Sequence, residues 1–316
     1  MTAPRISVVM PVFNRAWCVA EAIDSVLATD EPELELVVVD DGSSDGTPDI
    51  LARCAAREPR RVRVLTHPGR ANRGIARSRN LGVAQSRGTY LAFLDSDDLY
   101  QPRRFAHALP WLDAHPAHDA CIEPFERADL AGTHRELVTH LVPVPPADGG
   151  WLDAMLFSTV YWHTSVITLR RTAWPRFGGF DPRLALGEDV ALWLRLAAAG
   201  AVGVAQDAAP VSQVRAHARH SWAEADRRTE HAIYLRVLDT LCTWIARQPG
   251  LPHRVREMAG RRLRQSLVEL LLDAALPRRS RLGLWTAAAL RHPAAALDGR
   301  VAANLARMLL GLRMWT

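Results

Sequence analysis

Residues 91 to 98 read Leu-Ala-Phe-Leu-Asp-Ser-Asp-Asp, an apolar run that ends in three carboxylates within four positions. Carboxylate oxygens gathered at one point hold hard, oxygen-seeking divalent cations such as Mn2+ or Mg2+. Side chains alternate along an extended chain, so Asp95 and Asp97 are expected to share a face and approach one ion, with Asp98 turned elsewhere. An acidic turn that merely stops a strand has the same composition, and an isolated Asp-x-Asp favours that blander reading. A second acidic turn shifts the balance. Leu34 to Val39 reads as a buried strand, and Asp40-Asp41-Gly42-Ser43-Ser44-Asp45-Gly46-Thr47 follows it.

The elements that must position these acids alternate along the chain. Arg5 to Pro11 reads as a first strand leaving through Phe13-Asn14, Val62 to Leu65 as another strand, and Ile75 to Gln85 as a helix. Alternation of this kind builds an α/β fold, a parallel sheet with helical crossovers. Parallel strands bring their carboxyl ends to one crevice, where open α/β sheets bind ligands, so both acidic turns are expected to face one pocket. Phe13 at that edge either stacks on a planar base or covers the core.

Six segments in order carry a family resemblance. They are Ser7-Val8-Val9-Met10-Pro11-Val12-Phe13-Asn14, Val38-Val39-Asp40-Asp41-Gly42-Ser43-Ser44-Asp45-Gly46-Thr47, Asn72-Arg73-Gly74 with Arg79-Asn80-Leu81-Gly82, Phe93-Leu94-Asp95-Ser96-Asp97-Asp98, Gly178-Gly179-Phe180-Asp181 and Gly187-Glu188-Asp189. Over roughly the first two thirds of the chain the sequence resembles the family 2 glycosyltransferases. The resemblance implies the GT-A fold, a Rossmann-like, mixed and mostly parallel sheet flanked by helices. It also implies inverting transfer of a sugar from a nucleotide diphosphate donor, UDP-linked, to an acceptor hydroxyl, in assembly of a bacterial cell-surface polysaccharide or glycolipid. The acceptor is then a saccharide or a lipid-linked molecule.

The same resemblance assigns roles residue by residue. Asp97 would bind the cation, while Asp95 would bind either the cation or the donor's ribose. His217, in Arg215-Ala216-His217, would be a third metal ligand, with the neighbouring arginine on the diphosphate; a basic, solvated loop is the alternative. Asp41 would hydrogen-bond the base, flanked by Phe13 and the backbone near Pro11, and Asn14, Arg79 and Ser96 would complete the donor-binding set. An alcohol is a poor nucleophile until its proton is being removed, and Asp189 matches the family's general base. Its place at a loop-to-helix junction favours the ionised form, whereas burial beside an acceptor opposes it. Glu188 and Asp189 otherwise read as ordinary first-turn helix acids.

Composition agrees. The chain has 316 residues, 48% of them hydrophobic, enough for a large core plus an appendage. All 39 basic residues are arginine, and the net charge of +5 favours anionic partners such as nucleotide diphosphates and acidic lipid without singling out nucleic acid. Cys18, Cys54, Cys121 and Cys242 lack metal-binding spacing and read as reduced thiols. The amino terminus carries no apolar signal segment and no run is long and apolar enough to span a bilayer, so the expected location is cytoplasmic, peripheral on the inner face of the cell membrane.

Residues 1–223 are expected to form the catalytic domain, with a nucleotide-binding half to about residue 124 and an acceptor half beyond it; residues 224–316 form a helical appendage. Pro143, Pro145, Pro146, Gly149 and Gly150 suggest a loop between the halves, and Gly178-Gly179 a tight turn. Trp151 and Trp162 read as core residues or as platforms for a sugar ring. In the appendage, Ile233, Val237, Leu241 and Trp244 form one apolar face and Leu263, Leu267, Leu270 and Leu271 another, with Pro252, Pro277 and Pro293 as separators. These helices would pack on the catalytic domain or form a homodimer. Arg261, Arg262, Arg264, Arg278, Arg279 and Arg281 beside Leu and Trp suggest an anionic membrane surface instead. Other classes remain: a nucleotide-sugar-binding protein without transfer activity, or a sugar nucleotidyltransferase. Pro11-Val12-Phe13-Asn14 in place of a Gly-x-Gly-x-x-Gly loop disfavours a dinucleotide-dependent dehydrogenase.

Overall fold

The computed structural model describes residues 3–129, 135–137, 150–157, 160–205, 209–216 and 226–310. Two compact units form, one of Met1–Met155 with Thr159–Ala218 and one of Leu156–Ser158 with Arg219–Thr316.

In the first unit, β1 (Ile6–Val12) and β2 (Leu34–Asp40) are buried along their whole length, as near-continuous apolar runs in a sheet covered on both faces must be. They join β3 (Val62–Thr66) and β4 (Tyr90–Phe93) in one parallel block, in the spatial order β4-β1-β2-β3. The helices α1 (Val19–Leu27), α2 (Thr47–Arg57) and α3 (Ile75–Gln85) supply the crossovers. A proline in the first turn of α2 fits a position where no N–H is needed. Gly82 lets α3 lie close to the sheet, since a Cβ there would come within 2.4 Å of a Val9 methyl.

A short strand β5 (Leu99–Tyr100) and helix α4 (Ala108–Ala114) lead to β6 (Ala120–Ile122), β7 (Phe125–Asp129) and β8 (Arg135–Leu137). After α5 (Trp151–Phe157), β9 (Ile167–Arg170) runs antiparallel between β4 and β6. Helices α6 (Trp174–Phe177) and α7 (Glu188–Ala199) precede β10 (Val202–Val204), which completes a seven-stranded sheet of order β10-β6-β9-β4-β1-β2-β3. The final strand, β11 (Ser212–Ala216), enters a four-stranded sheet of order β5-β11-β7-β8. The mixed, mostly parallel sheet flanked by helices is thus present. Trp151 and Trp162 are 4% and 0% exposed and pack edge to face, so both belong to the core and neither is a sugar platform.

Pairing register sets up the site. Val12 lies opposite Asp40, and Asp40 opposite Thr66, so β1, β2 and β3 end level and set Phe13, Asp41 and His67 at one edge.

The second unit contains α8 (Arg227–Ala246), α9 (His253–Leu272), α10 (Arg278–Arg291), α11 (Pro293–Ala296) and α12 (Gly299–Leu310). Asp226 caps α8 by accepting the Thr229 N–H at 2.8 Å, while Pro252, Pro277 and Pro293 mark the starts of the next three helices. Leu263, Leu267, Leu270 and Leu271 are buried as their spacing requires. On α8 the buried stripe runs through Val237, Leu238, Leu241 and Ile245, leaving Ile233 and Trp244 half-buried at its margin. Among the described residues no helix is long and apolar enough to cross a membrane.

Candidate active site

The loops after β1 and β2 hold each other in place. Asn14 adopts a left-handed backbone, φ 51°, its N–H donates to Ser43 Oγ at 2.9 Å, and its side-chain oxygen accepts from the Ser44 N–H at 2.9 Å. Arg15 N–H donates to Thr47 Oγ1 at 2.8 Å, and Asp45 accepts from the Ala16 and Thr47 amides. Phe13 is left 42% exposed at the rim, so it does not cover the core. Pro11 lies inside β1, buried beneath this rim.

Asp41 is buried, and its two oxygens accept the Arg73 and Gly74 N–H groups at 2.7 and 2.9 Å. Those amides open α3, so Asp41 fixes the start of that helix. His67 Nε2 lies 3.5 Å from Asp41 and 2.9 Å from Ser78 Oγ.

The second acidic segment does not stay extended. Asp98 N–H donates to the Asp95 carbonyl at 3.0 Å, closing a turn through Ser96 and Asp97. A turn brings its first and fourth residues together, which corrects the expectation drawn from strand alternation. Carboxylate oxygens of Asp95 and Asp98 and a ring nitrogen of His163 all lie within 4.8 Å of one another. Asp97 is outside this group, and its Oδ2 accepts from Arg15 Nε at 3.2 Å. Ser96 is buried within the turn, with its carbonyl accepting from the Cys18 thiol.

His163 reaches the turn through strand order. β9 lies antiparallel beside β4, with Ala92 opposite Thr168, so the residues just before β9 stand at the carboxyl end of β4. His163 Nδ1 is 2.8 Å from Ser165 Oγ, and Nε2 is 3.8 Å from Asp98 Oδ2. Nδ1 also accepts the Ser165 backbone N–H at 3.3 Å, which fixes the ring with Nε2 turned towards Asp98. Asp98 accepts the Arg215 N–H at 2.9 Å, yet burial first, then Asp97 and Asp95, raise its pKa well above the ordinary carboxyl value. Like charges held together out of water are what a divalent cation relieves, and two carboxylates with one imidazole suit Mn2+. The residues fit such an ion.

Arg79 joins this turn to the start of α7. Its fully buried guanidinium donates to Asp95 through one terminal nitrogen and to Glu188 through the other, and it lies 5.0 Å above the Phe180 ring. Asn80, the next residue, holds Phe180 by donating to its carbonyl at 2.7 Å and accepting its N–H at 3.0 Å. Gly178 and Gly179, both with positive φ, make the tight turn that allows this contact. A Cβ on Gly179 would come within 2.8 Å of the Asn80 amide oxygen.

At the head of α7, burial and then Asp189 lift the Glu188 carboxyl to about 7, against the pull of Arg79. Asp189 is half-buried and accepts from Tyr161 OH and Thr164 Oγ1, each at 3.3 Å. Burial, followed by Asp189 itself, raises the Tyr161 phenol well above its ordinary pKa and keeps it a neutral donor.

Arg215 does not face open space. Its guanidinium donates to the Asp97 carbonyl and to Glu21, so it braces the acidic turn and is not available to a diphosphate. His217 lies outside the described residues. Sequence reasoning missed His163 as a possible ligand because no short spacing ties it to Asp95; it missed the turn geometry that selects Asp98; and it gave Arg15 no role, although Arg15 follows Phe13-Asn14 at the same edge.

The comparisons with known proteins agree with this fold. The glycosyl transferase family 2 model matches residues 7–140. The succinoglycan biosynthesis protein ExoO of Rhizobium meliloti is 30% identical over 319 residues, covering 96% of this chain and 87% of ExoO. The chain belongs to glycosyl transferase family 2. EpsE of Bacillus subtilis is 29% identical over 196 residues, 61% of this chain and 67% of EpsE. A Rickettsia felis glycosyltransferase is 27% identical over 211 residues, 63% of this chain and 31% of that longer protein. Among solved structures, Staphylococcus aureus TarS residues 1–349 in complex with UDP-GlcNAc has a TM-score of 0.66 at 18% identity, over 98% of this chain and 92% of that one. The mannosyltransferase PcManGT of Pyrobaculum calidifontis, in complex with GDP-Man and Mn2+, has a TM-score of 0.52 at 21% identity, over 98% and 87%. At these identities the structural likeness establishes the GT-A fold.

Proposed function

We propose that this glycosyltransferase uses a nucleotide diphosphate sugar, UDP-linked, and transfers the sugar with inversion to an acceptor hydroxyl in assembly of a cell-surface polysaccharide or glycolipid. One observation carries the reading. Arg79 links the acidic turn at Asp95 to the head of α7, so the candidate donor and base positions form one connected site. The names of ExoO, a succinoglycan biosynthesis protein, and of TarS, crystallised in complex with UDP-GlcNAc, favour the donor and pathway class.

A divalent cation held by Asp95, Asp98 and His163 would stabilise the negative charge of the departing diphosphate. Asp95 would then act as a metal ligand in preference to a ribose ligand, and Asp97 would steady Arg15 beside the diphosphate. Phe13, exposed at the rim, would stack on the base, with Pro11, Asn14, Asp41 and Ser96 shaping the donor pocket. The acceptor oxygen bonds to the anomeric carbon while the bond from that carbon to the diphosphate oxygen breaks. Asp189 takes the acceptor's proton. Tyr161 and Thr164 orient its carboxylate, and Arg79 keeps Glu188 occupied, so Asp189 is the acid left to act as base.

The test is a panel of nucleotide sugars assayed for binding and slow hydrolysis with Mn2+ or Mg2+. A UDP-sugar bound and hydrolysed only with metal supports the reading. Binding without any hydrolysis or transfer favours a nucleotide-sugar-binding protein, and pyrophosphate-dependent formation of a nucleotide sugar favours a nucleotidyltransferase.

A further inference from the structure

α10 reads Arg-Arg-Ser-Arg-Leu-Gly-Leu-Trp-Thr-Ala-Ala-Ala-Leu-Arg, an apolar-rich helix in which Ala288 alone is buried. Gly283, Thr286, Ala287 and Leu290, spaced as one helical stripe, are exposed, and Leu290 reaches 83% exposure. A water-facing helix ordinarily carries its charges on such a stripe. Here they stand at its ends, with Arg278, Arg279 and Arg281 before it and Arg291, ion-paired with Asp239 at 3.6 Å, after it. Leu297, Leu309 and Leu310 are also exposed, and among the described residues the only other exposed large hydrophobics are Phe13 and Trp17.

Charge selects what covers this face. Residues 274–297 contain four arginines and no acid, so a second copy packed on the same stripe would set arginine against arginine with no acid from this segment between them. An anionic bilayer answers both features at once, with phosphates for the flanking arginines and an acyl boundary for the leucines. Three of the arginines on α9 are otherwise engaged. Arg261 lies over Phe157 at 4.1 Å, Arg262 over Tyr234 at 4.8 Å and against Glu269 at 3.1 Å, and Arg264 against Asp298 at 3.6 Å.

We propose that α10 docks the chain on an anionic lipid surface, with Gly283, Thr286, Ala287 and Leu290 towards the acyl boundary and Arg279 towards headgroup phosphates. The inference uses the second unit alone, so it stands or falls separately from the transfer reaction. The full chain should co-sediment with vesicles of equal phosphatidylcholine and phosphatidylglycerol at low salt and far less with phosphatidylcholine alone. Binding should vanish as ionic strength nears about 1 M, where the screening length is about 3 Å. The double variant Arg279→Gln with Leu290→Ser should lower partitioning roughly tenfold or more, from one lost basic contact and one lost apolar anchor. Its helix content by circular dichroism and its nucleotide affinity should match wild type. Arg261→Gln should sediment as wild type does. Failure to bind anionic vesicles at low salt, equal binding to neutral ones, or wild-type sedimentation of the double variant would each overturn the proposal. A concentration-dependent dimer that the double variant abolishes would overturn it in favour of a second copy.

Discussion

Both ends of the seven-stranded sheet bury carboxylates, and they treat them in opposite ways. At the amino end Glu35 is 1% exposed and accepts from Ser7 Oγ at 2.7 Å, from Arg87 Nε and NH2 at 3.1 and 2.9 Å, and from the Arg87 backbone N–H. Burial alone would raise its pKa, but the Ser7 and Arg87 hydrogen bonds outweigh burial and hold the carboxyl below its ordinary value. At the carboxyl end, Asp98 and Glu188 are raised by burial and by neighbouring acids. The amino end is a finished polar knot that joins β1, β2 and the approach to β4. The carboxyl end keeps like charges together without enough cations among the described residues, the condition expected where a ligand completes the set.

The contrast makes graded predictions. The largest effect belongs to Asp189→Asn, which preserves shape and removes the base: transfer should fall by roughly a hundredfold or more, while donor affinity and melting temperature stay near wild type. Unchanged transfer would reduce Asp189 to a helix-start acid and turn attention to Glu188. Next come Asp98→Asn and His163→Gln, each expected to weaken Mn2+ binding by roughly tenfold or more, read as free Mn2+ by electron paramagnetic resonance. Asp97→Asn should weaken it less, and the reverse ranking would return the cation to Asp97. Glu35→Gln should do the opposite of Asp189→Asn, costing about 2 kcal/mol of stability in denaturant unfolding and leaving turnover per folded molecule unchanged.

The smallest effect is a pair of opposed pH slopes. Glu35 has a depressed folded pKa, so its stabilisation is present above the ordinary value of 4.5 and is lost as pH falls towards the folded value; Glu35→Gln should flatten that acid-side loss. Glu188 has a folded pKa raised from 4.5 to about 7, so within that window the folded state binds the proton more tightly and stability falls as pH rises. Glu188→Gln should flatten this second slope. Melting temperatures between about pH 2 and pH 8 would reveal both, and slopes of the same sign would erase the contrast.

Much of the sheet was legible because its signals are local. The runs around Val8, Val37 and Val64 are strands, Ile75–Gln85 is a helix at the bounds expected, and Asp189 does stand in the first turn of α7. The site was harder to read where side-chain direction depends on a turn or on distant strand order. Alternation paired Asp95 with Asp97, but the chain turns at Ser96 and brings Asp98 beside Asp95 instead. His163 joins them because β9 inserts antiparallel between β4 and β6, a pairing with no local sequence signature. In the second unit Arg261, Arg262 and Arg264 read as part of a basic patch for an anionic membrane surface, whereas all three find aromatic rings or acids within the same unit.

The central claim is that the open end of the sheet binds a nucleoside diphosphate through a divalent cation. Isothermal calorimetry of UDP and GDP, titrated into the full chain with Mn2+ and again with a chelator, tests it most directly. Saturable binding of UDP with Mn2+ that disappears on chelation and is weakened by Asp98→Asn is the predicted result. Equal affinity with and without the metal, or no binding of either nucleotide, would contradict it.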